Sequence, residues 1–193
     1  AQYNGNISAI RWKYSGMSEW RGYAYFYDSL NRLTQATYGT FNGWDRTGQE
    51  TYSVPLVQYD FNGNILRLKR NGYCGPTPCL MDDLDYDYIY NGNQVDQITD
   101  NGNKSWGFRD ASNMPEYTYD ANCNMKWDRN KGITGITYNH LNLPEIIDLE
   151  NNRRIEYLYD ADGTKLRKKY YENGLLTLTT DYPGEFVYTN GSP

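Results

Sequence analysis

The chain has 193 residues, a mass of 22.5 kDa, a formal net charge of -5 and a sequence pI near 4.9, which allows one domain or two small ones and excludes an assembly of many folded units. Leu, Ile, Val and Phe number only 34 and mean hydropathy is -0.88, but 21 Tyr and 5 Trp supply apolar mass as large rings whose polar tips need partners. Low net charge and this ring content exclude an unfolded tail, the lack of a concentrated basic stripe argues against nucleic acid, and no apolar run approaches the about eighteen residues of a membrane helix.

Asn is equally abundant at 21 residues, and eight Asn-Gly pairs punctuate the chain: 4–5, 42–43, 62–63, 71–72, 91–92, 101–102, 173–174 and 190–191. Asn-Gly between extended runs predicts a hairpin, because both residues tolerate the positive φ of a type I′ turn. In chain order the first such element is Tyr3-Asn4-Gly5-Asn6-Ile7, followed by Tyr27-Asp28-Ser29-Leu30-Asn31-Arg32-Leu33. Thr40 to Pro55 is the least repetitive stretch and reads as a longer loop or a degenerate hairpin. The motif returns as Tyr59-Asp60-Phe61-Asn62-Gly63-Asn64-Ile65 and, shortened, as Tyr90-Asn91-Gly92-Asn93-Gln94-Val95. Three further copies begin at Tyr119-Asp120, Tyr138-Asn139 and Tyr159-Asp160, the last with Gly163 at its fifth position.

Each motif position has a physical reason. The Asp or Asn after the tyrosine accepts hydrogen bonds from amides two residues on and closes the turn. The fifth position is mostly Gly or Asn because the backbone there enters the left-handed region; Cys123 is the odd copy and is expected to bring strain or a different turn. Before each anchor the rings alternate, as in Tyr23, Tyr25, Tyr27 and in Leu84, Tyr86, Tyr88, Tyr90, which places them on one face of a strand. After the turn apolar residues stand three apart, as in Ile65 and Leu68 or Val95 and Ile98, a spacing that a bulged second strand accommodates.

One repeat is thus a β-hairpin, and since a lone hairpin is marginal in water the neighbours are expected to lie edge to edge in one sheet of roughly fourteen strands. The expected fold is all-β, with no helix longer than about two turns and no internal domain boundary across 1–193. Unpaired strands at the two ends make edge-to-edge self-association an expected interaction.

The repeated Tyr-Asp-x-x-Gly-Asn followed by an apolar residue resembles the YD repeats of the rearrangement hotspot (RHS) family over nearly the whole chain. The run Tyr119 to Met125 with Gly132 to Pro144 is similar to the bacterial cell-surface branch, and Asp181 to Tyr188 is similar to the approach to the family's core domain. The resemblance implies a ribbon of tandem hairpins spiralling into a curved antiparallel sheet, part of a shell that encloses or displays a C-terminal effector such as a toxin. It implies a fragment of a larger surface-exposed or secreted protein, whose partners are adjacent repeats and a core domain of the same polypeptide. The export signal and the family's self-cleaving aspartyl site are expected outside this chain.

Candidate chemistry is sparse. Catalysis by a Ser-His-Asp or Cys-His arrangement needs a proton carrier, and the single histidine, His140, lies within a repeat turn. Asp82, Asp83, Asp85 and Asp87 form the densest acidic group; the last three alternate with Leu84, Tyr86 and Tyr88, so they are expected on a solvated sheet face, with a hard-cation site as the alternative. Asp160-Ala161-Asp162-Gly163 begins like a calcium loop, but Tyr171 stands where the closing acid belongs. Cys74 and Cys79 flank Gly-Pro-Thr-Pro closely enough to form a disulfide outside the cell. No catalytic group, cofactor or metal is assigned, and the chain is expected not to be an enzyme. The competing function is a carbohydrate-binding cell-surface module, in which Trp12, Trp20, Trp44, Trp106 and Trp127 share an exposed face and stack on glycan rings.

Overall fold

The computed structural model describes residues 4–42, 45–47, 51–111 and 115–192. Among these residues every regular element is a strand apart from two three-residue 3-10 turns at Ile89–Asn91 and Arg129–Lys131, and the strand pairs are antiparallel. The all-β reading holds because turn residues interrupt the chain too often for helices to grow.

Packing divides the chain into two compact units, Ala1–Asp110 and Ala111–Pro193, and the Tyr-Asp motif runs through both. In the first unit β1 (Ala9–Trp12), β2 (Trp20–Tyr27), β3 (Leu33–Asn42) and β4 (Asp45–Thr47) form one meander. A second meander contains β5 (Leu56–Tyr59), β6 (Ile65–Cys74), β7 (Thr77–Tyr88) and β8 (Val95–Asp100). The second unit is an eight-stranded meander of β9 (Tyr117–Tyr119), β10 (Met125–Asp128), β11 (Ile133–Tyr138), β12 (Pro144–Leu149), β13 (Arg153–Tyr159), β14 (Lys165–Glu172), β15 (Leu175–Asp181) and β16 (Tyr188–Thr189).

The described residues therefore form three sheets where the repeat pattern suggests one. The first break falls in the stretch lacking a Tyr-Asp turn. After β4 pairs with β3, Val54 exchanges both backbone bonds with Ala36 at 2.8 and 2.9 Å. The buried Ser53 next to it accepts the Tyr38 amide on its hydroxyl at 2.8 Å and the Asn71 amide on its carbonyl at 2.8 Å. Thr51–Val54 thus stitches the edge of β3 to β6, and the few deeply buried apolar side chains of this unit, Ala36, Phe41, Val57, Leu84 and Ile98, belong to the two sheets it joins.

Asn-Gly pairs do not all mark turns. At 173–174 and 190–191 both residues take positive φ, as a type I′ turn requires. Asn71-Gly72, in contrast, lies inside β6, where a Cβ on Gly72 would meet Met81 Cε at 2.2 Å. Close approach of Met81, not a turn, explains that glycine. The β6–β7 turn lies further on at Gly75, whose φ is +79°.

Candidate functional site

The turns follow one construction. Asp28 Oδ1 accepts the amides of Leu30 and Arg32, each at 2.9 Å; Asp120 Oδ1 accepts those of Asn122 and Asn124 at 2.9 Å; Asp160 Oδ1 accepts those of Asp162 and Thr164. Asn139 holds Leu141 and Leu143 in the same way, and Asp60 holds Asn64. The amide two residues on is the partner expected from sequence, while the one four residues on adds a second tether. The fifth position is left-handed throughout, at Asn31, Gly63, Cys123, Asn142 and Gly163. Cys123 adopts φ +66° in an unchanged turn, donating its amide to Asp120 O at 3.0 Å, so the two tethers outweigh the cost of its Cβ. The expected bulge is present after each turn: Tyr59 pairs with Ile65 but Gln58 with Arg67, leaving Leu66 unpaired, and Glu145 is the extra residue after Tyr138–Pro144.

The anchor tyrosine ties one repeat to the one before it. Tyr27 donates its hydroxyl to Ile7 O at 2.8 Å, Tyr59 to Leu33 O at 2.8 Å, Tyr138 to Met125 O at 2.6 Å and Tyr159 to Pro144 O at 2.9 Å. In every case the acceptor is the residue that follows the preceding turn. Tyr90, assigned as the fourth anchor from its Asn-Gly, does not take this role. Tyr88 does, donating to Ile65 O at 2.8 Å and pairing with Val95, while Tyr90 sits in the turn at φ +51° with its ring 99% exposed. One added residue lengthens this turn: Gly92 still donates to Ile89 O, and Ile89 to Gln94 O. Tyr119 ends β9, the first strand of the second unit, and Tyr3 lies outside the described residues.

Trp12 and Trp20 do not share a face. They are exposed on opposite sides of their sheet, since Trp12 pairs with Arg21 in β2; Trp20 carries the Arg11 guanidinium 4.9 Å from its ring centroid. Trp106 is exposed in a loop, Trp127 is exposed on β10 in the other unit beneath Arg129, and Trp44 lies outside the described residues.

A row of rings forms elsewhere, which the sequence reading missed. On the face of β2 that carries Arg21 and Tyr23, Trp12 lies 6.1 Å from Tyr23, Tyr23 5.3 Å from Tyr38, Tyr38 5.3 Å from Tyr52 and Tyr52 5.7 Å from Tyr73. Tyr52 comes from the stitching segment and Tyr73 from β6, so the row crosses from one sheet of the first unit to the other. Its far end borders a cleft of about 390 Å3 lined by Glu19, Arg21, Tyr38, Thr40, Thr51, Tyr52 and Tyr73. Cys74 and Cys79, bonded as a disulfide with Cα atoms 5.8 Å apart, close the hairpin that presents Tyr73. Only the alternation that puts Tyr23 on one face with Tyr25 and Tyr27 was legible in the sequence; the rings it meets come from other strands and from irregular chain.

Of the three acids expected on a solvated face, Asp83 departs, and Asp82 beside it is buried as well. Asp87 is exposed and Asp85 half-buried, but Asp82 and Asp83 are buried. Asp82 is 1% exposed, accepts the Phe108 amide at 2.7 Å and pairs with Arg70. Asp83 binds Arg67 through two bonds of 2.9 and 3.0 Å and Lys69 at 3.1 Å. Beside them the fully buried Asp100 accepts the amides of Asp83 and Gly102 on Oδ1. Cations from β6 and a cover from residues 101–110 remove these acids from water, which alternation along β7 cannot reveal. Among the described residues no three His, Cys, Asp or Glu side chains converge as a metal site. His140 is exposed at its turn tip.

These contacts set a pH dependence. The Arg32 amide holds Asp28 below the usual carboxylate range, the Asn124 amide does so for Asp120, and the Arg67 guanidinium for Asp83. The unfolded chain therefore takes up protons first as pH falls, and the stabilisation is complete above the ordinary carboxylate value of 3.8 and lost below it. At the other extreme burial pushes the Tyr117 phenol up to about 12 from 10.0, so the unfolded chain ionises first and stability is lost as pH rises from 10 towards 12. The urea midpoint is expected to stay level between about pH 5 and 9 and to fall on both sides; a midpoint unchanged down to pH 2 would contradict the capping role of these carboxylates.

Fold and turns together define an all-β hairpin-repeat protein. No protein-family model matches the chain, and no curated protein matches it. Among solved structures, the crystal structure of TcdB2-TccC3-TEV is similar at 10% identity and a TM-score of 0.32, over 88% of this chain and 11% of that one. The chain thus spans about a ninth of that structure's length, in a likeness too weak to bear on function.

Proposed function

We propose that this chain is a structural YD-repeat segment of a larger surface-exposed or secreted RHS-type protein, contributing to the wall of a β-shell around or beside a C-terminal effector, without catalysis of its own. The observation that carries the reading is the recurrent brace from Tyr27, Tyr59, Tyr88, Tyr138 and Tyr159 to the carbonyl after the preceding turn. Such a brace commits the tyrosine hydroxyl to the backbone and holds one hairpin to its neighbour, which is what an extended wall needs from a repeat. Neighbouring turns are further tied by asparagines, with Asn64 Nδ2 donating to Asn93 Oδ1 at 2.9 Å and Asn124 Nδ2 to Asn142 Oδ1 at 3.2 Å. Electron microscopy of the full-length protein tests the reading: the segment is expected as part of a continuous hollow β-wall. A segment projecting alone, with no further hairpin repeats beside it, would overturn it.

A further inference from the structure

We propose that the tyrosine cleft of the first unit binds a linear, neutral oligosaccharide laid across strands β2, β3 and β6. This goes beyond the wall-segment reading and does not depend on it. The ring row runs across the strands, its centroid steps of 5.3 to 5.7 Å following the ~4.8 Å spacing of neighbouring strands, so an occupant that follows the rings is elongated and lies perpendicular to the strands. Tyr52 and Tyr73 keep 45% and 40% of their surface in water, and Trp12 at the other end is exposed too. Adjacent exposed rings of this kind mark an interaction surface rather than a core.

The chemistry of the lining selects the ligand class. Three tyrosine rings offer apolar faces, while Glu19, Arg21, Thr40 and Thr51 bring polar groups to the same cleft. A purely hydrocarbon ligand would strip water from the Glu19 carboxylate and the Arg21 guanidinium without replacing it. A saccharide satisfies both demands: its CH faces lie on rings, and its hydroxyls donate to the carboxylate and accept from the guanidinium. One acid and one base in the lining cancel in charge, which suits a neutral sugar, and the chain's net charge of -5 opposes a polyanion such as nucleic acid. The volume of about 390 Å3 falls in the range of sites that hold small ligands.

The test is calorimetric titration of the full chain with chitohexaose and with cellohexaose. At least one is expected to bind, and Tyr73→Ala and Glu19→Gln are each expected to weaken it tenfold or more with the melting temperature unchanged. Trp127→Ala, in the other unit, is expected to leave affinity unaltered. Failure of both hexasaccharides to bind at millimolar concentration overturns the proposal, as does binding that survives both cleft substitutions. Binding of a proline decapeptide that Tyr73→Ala abolishes, with neither sugar bound, would assign the cleft to a peptide and likewise overturn it. None of these outcomes alters the electron-microscopy test of the wall, so the two readings fail separately.

Discussion

Tyr59→Ala is expected to lower the unfolding free energy by about 2–4 kcal/mol, while Tyr90→Ala changes it by less than about 0.5 kcal/mol. Tyr59 is half-buried, donates to Leu33 O at 2.8 Å and lies under the Arg32 guanidinium, 4.6 Å from its ring centroid. Arg32 also donates to Asp60 O at 2.9 Å and binds Asp28, so the ring sits where two consecutive repeats are joined. Truncation removes ring burial, the hydroxyl bond and a cation–π contact together. Tyr59→Phe separates these parts and is expected to cost about 1 kcal/mol, the usual net value of one hydrogen bond. Tyr90 has almost no buried surface to lose. Chemical denaturation of the three variants is the measurement. A Tyr90 substitution as damaging as the one at Tyr59 would show that the repeat is anchored by its Asn-Gly turn and not by the tyrosine that pairs across it.

Asp82→Ala is expected to cost about 1–3 kcal/mol, the range for leaving a hydrogen-bonding group away from water without its partner, because Arg70, the other partner, is half exposed and regains water. One oxygen of this carboxylate holds the Phe108 amide and the other the Arg70 guanidinium. The covering loop reaches it because residue 107 is glycine: its φ is +87°, and a Cβ there would lie 2.1 Å from Asp82 Oδ1 and 2.7 Å from Met81 Cγ. Without the carboxylate the Phe108 amide loses its acceptor and the loop loses its tether to β7. Urea denaturation should show the loss of stability, and hydrogen exchange should show the Phe108 amide opening faster than amides at the centre of β7. If exchange at Phe108 is unchanged and the midpoint holds, the loop is kept in place by other contacts and Asp82 is not its anchor.

The two predictions differ in how far they could be read from the chain. That a tyrosine anchors each repeat is legible in the recurrence of Tyr-Asp, but at the fourth copy the Tyr90-Asn91-Gly92 string points to the wrong ring. A one-residue lengthening of the turn moves the anchor to Tyr88, and only the pairing of Tyr88 with Val95 reveals it. Burial of Asp82 and Asp83 was not legible at all. Alternation along β7 ranks its two faces by their own side chains, whereas Arg67, Lys69 and Arg70 arrive from β6 and Phe108 from a loop more than twenty residues later.

The sequence by itself determined the all-β class, the position of the Tyr-Asp turns, the left-handed fifth residue and the bulge that follows. Each depends on bonds between a side chain and a backbone within a seven-residue motif, as Asp28 with Leu30 and Arg32 illustrates, and such bonds are specified wherever the motif recurs. Tertiary structure alone decided where the sheet breaks, which acids are buried and which rings meet around the cleft. Ser53 joins Tyr38 to Asn71 across more than thirty residues, and Tyr52 meets Tyr38 and Tyr73 only because that junction holds. Contacts of that range carry no local signature, since a serine and a tyrosine in an irregular stretch look the same whether they face solvent or a second sheet.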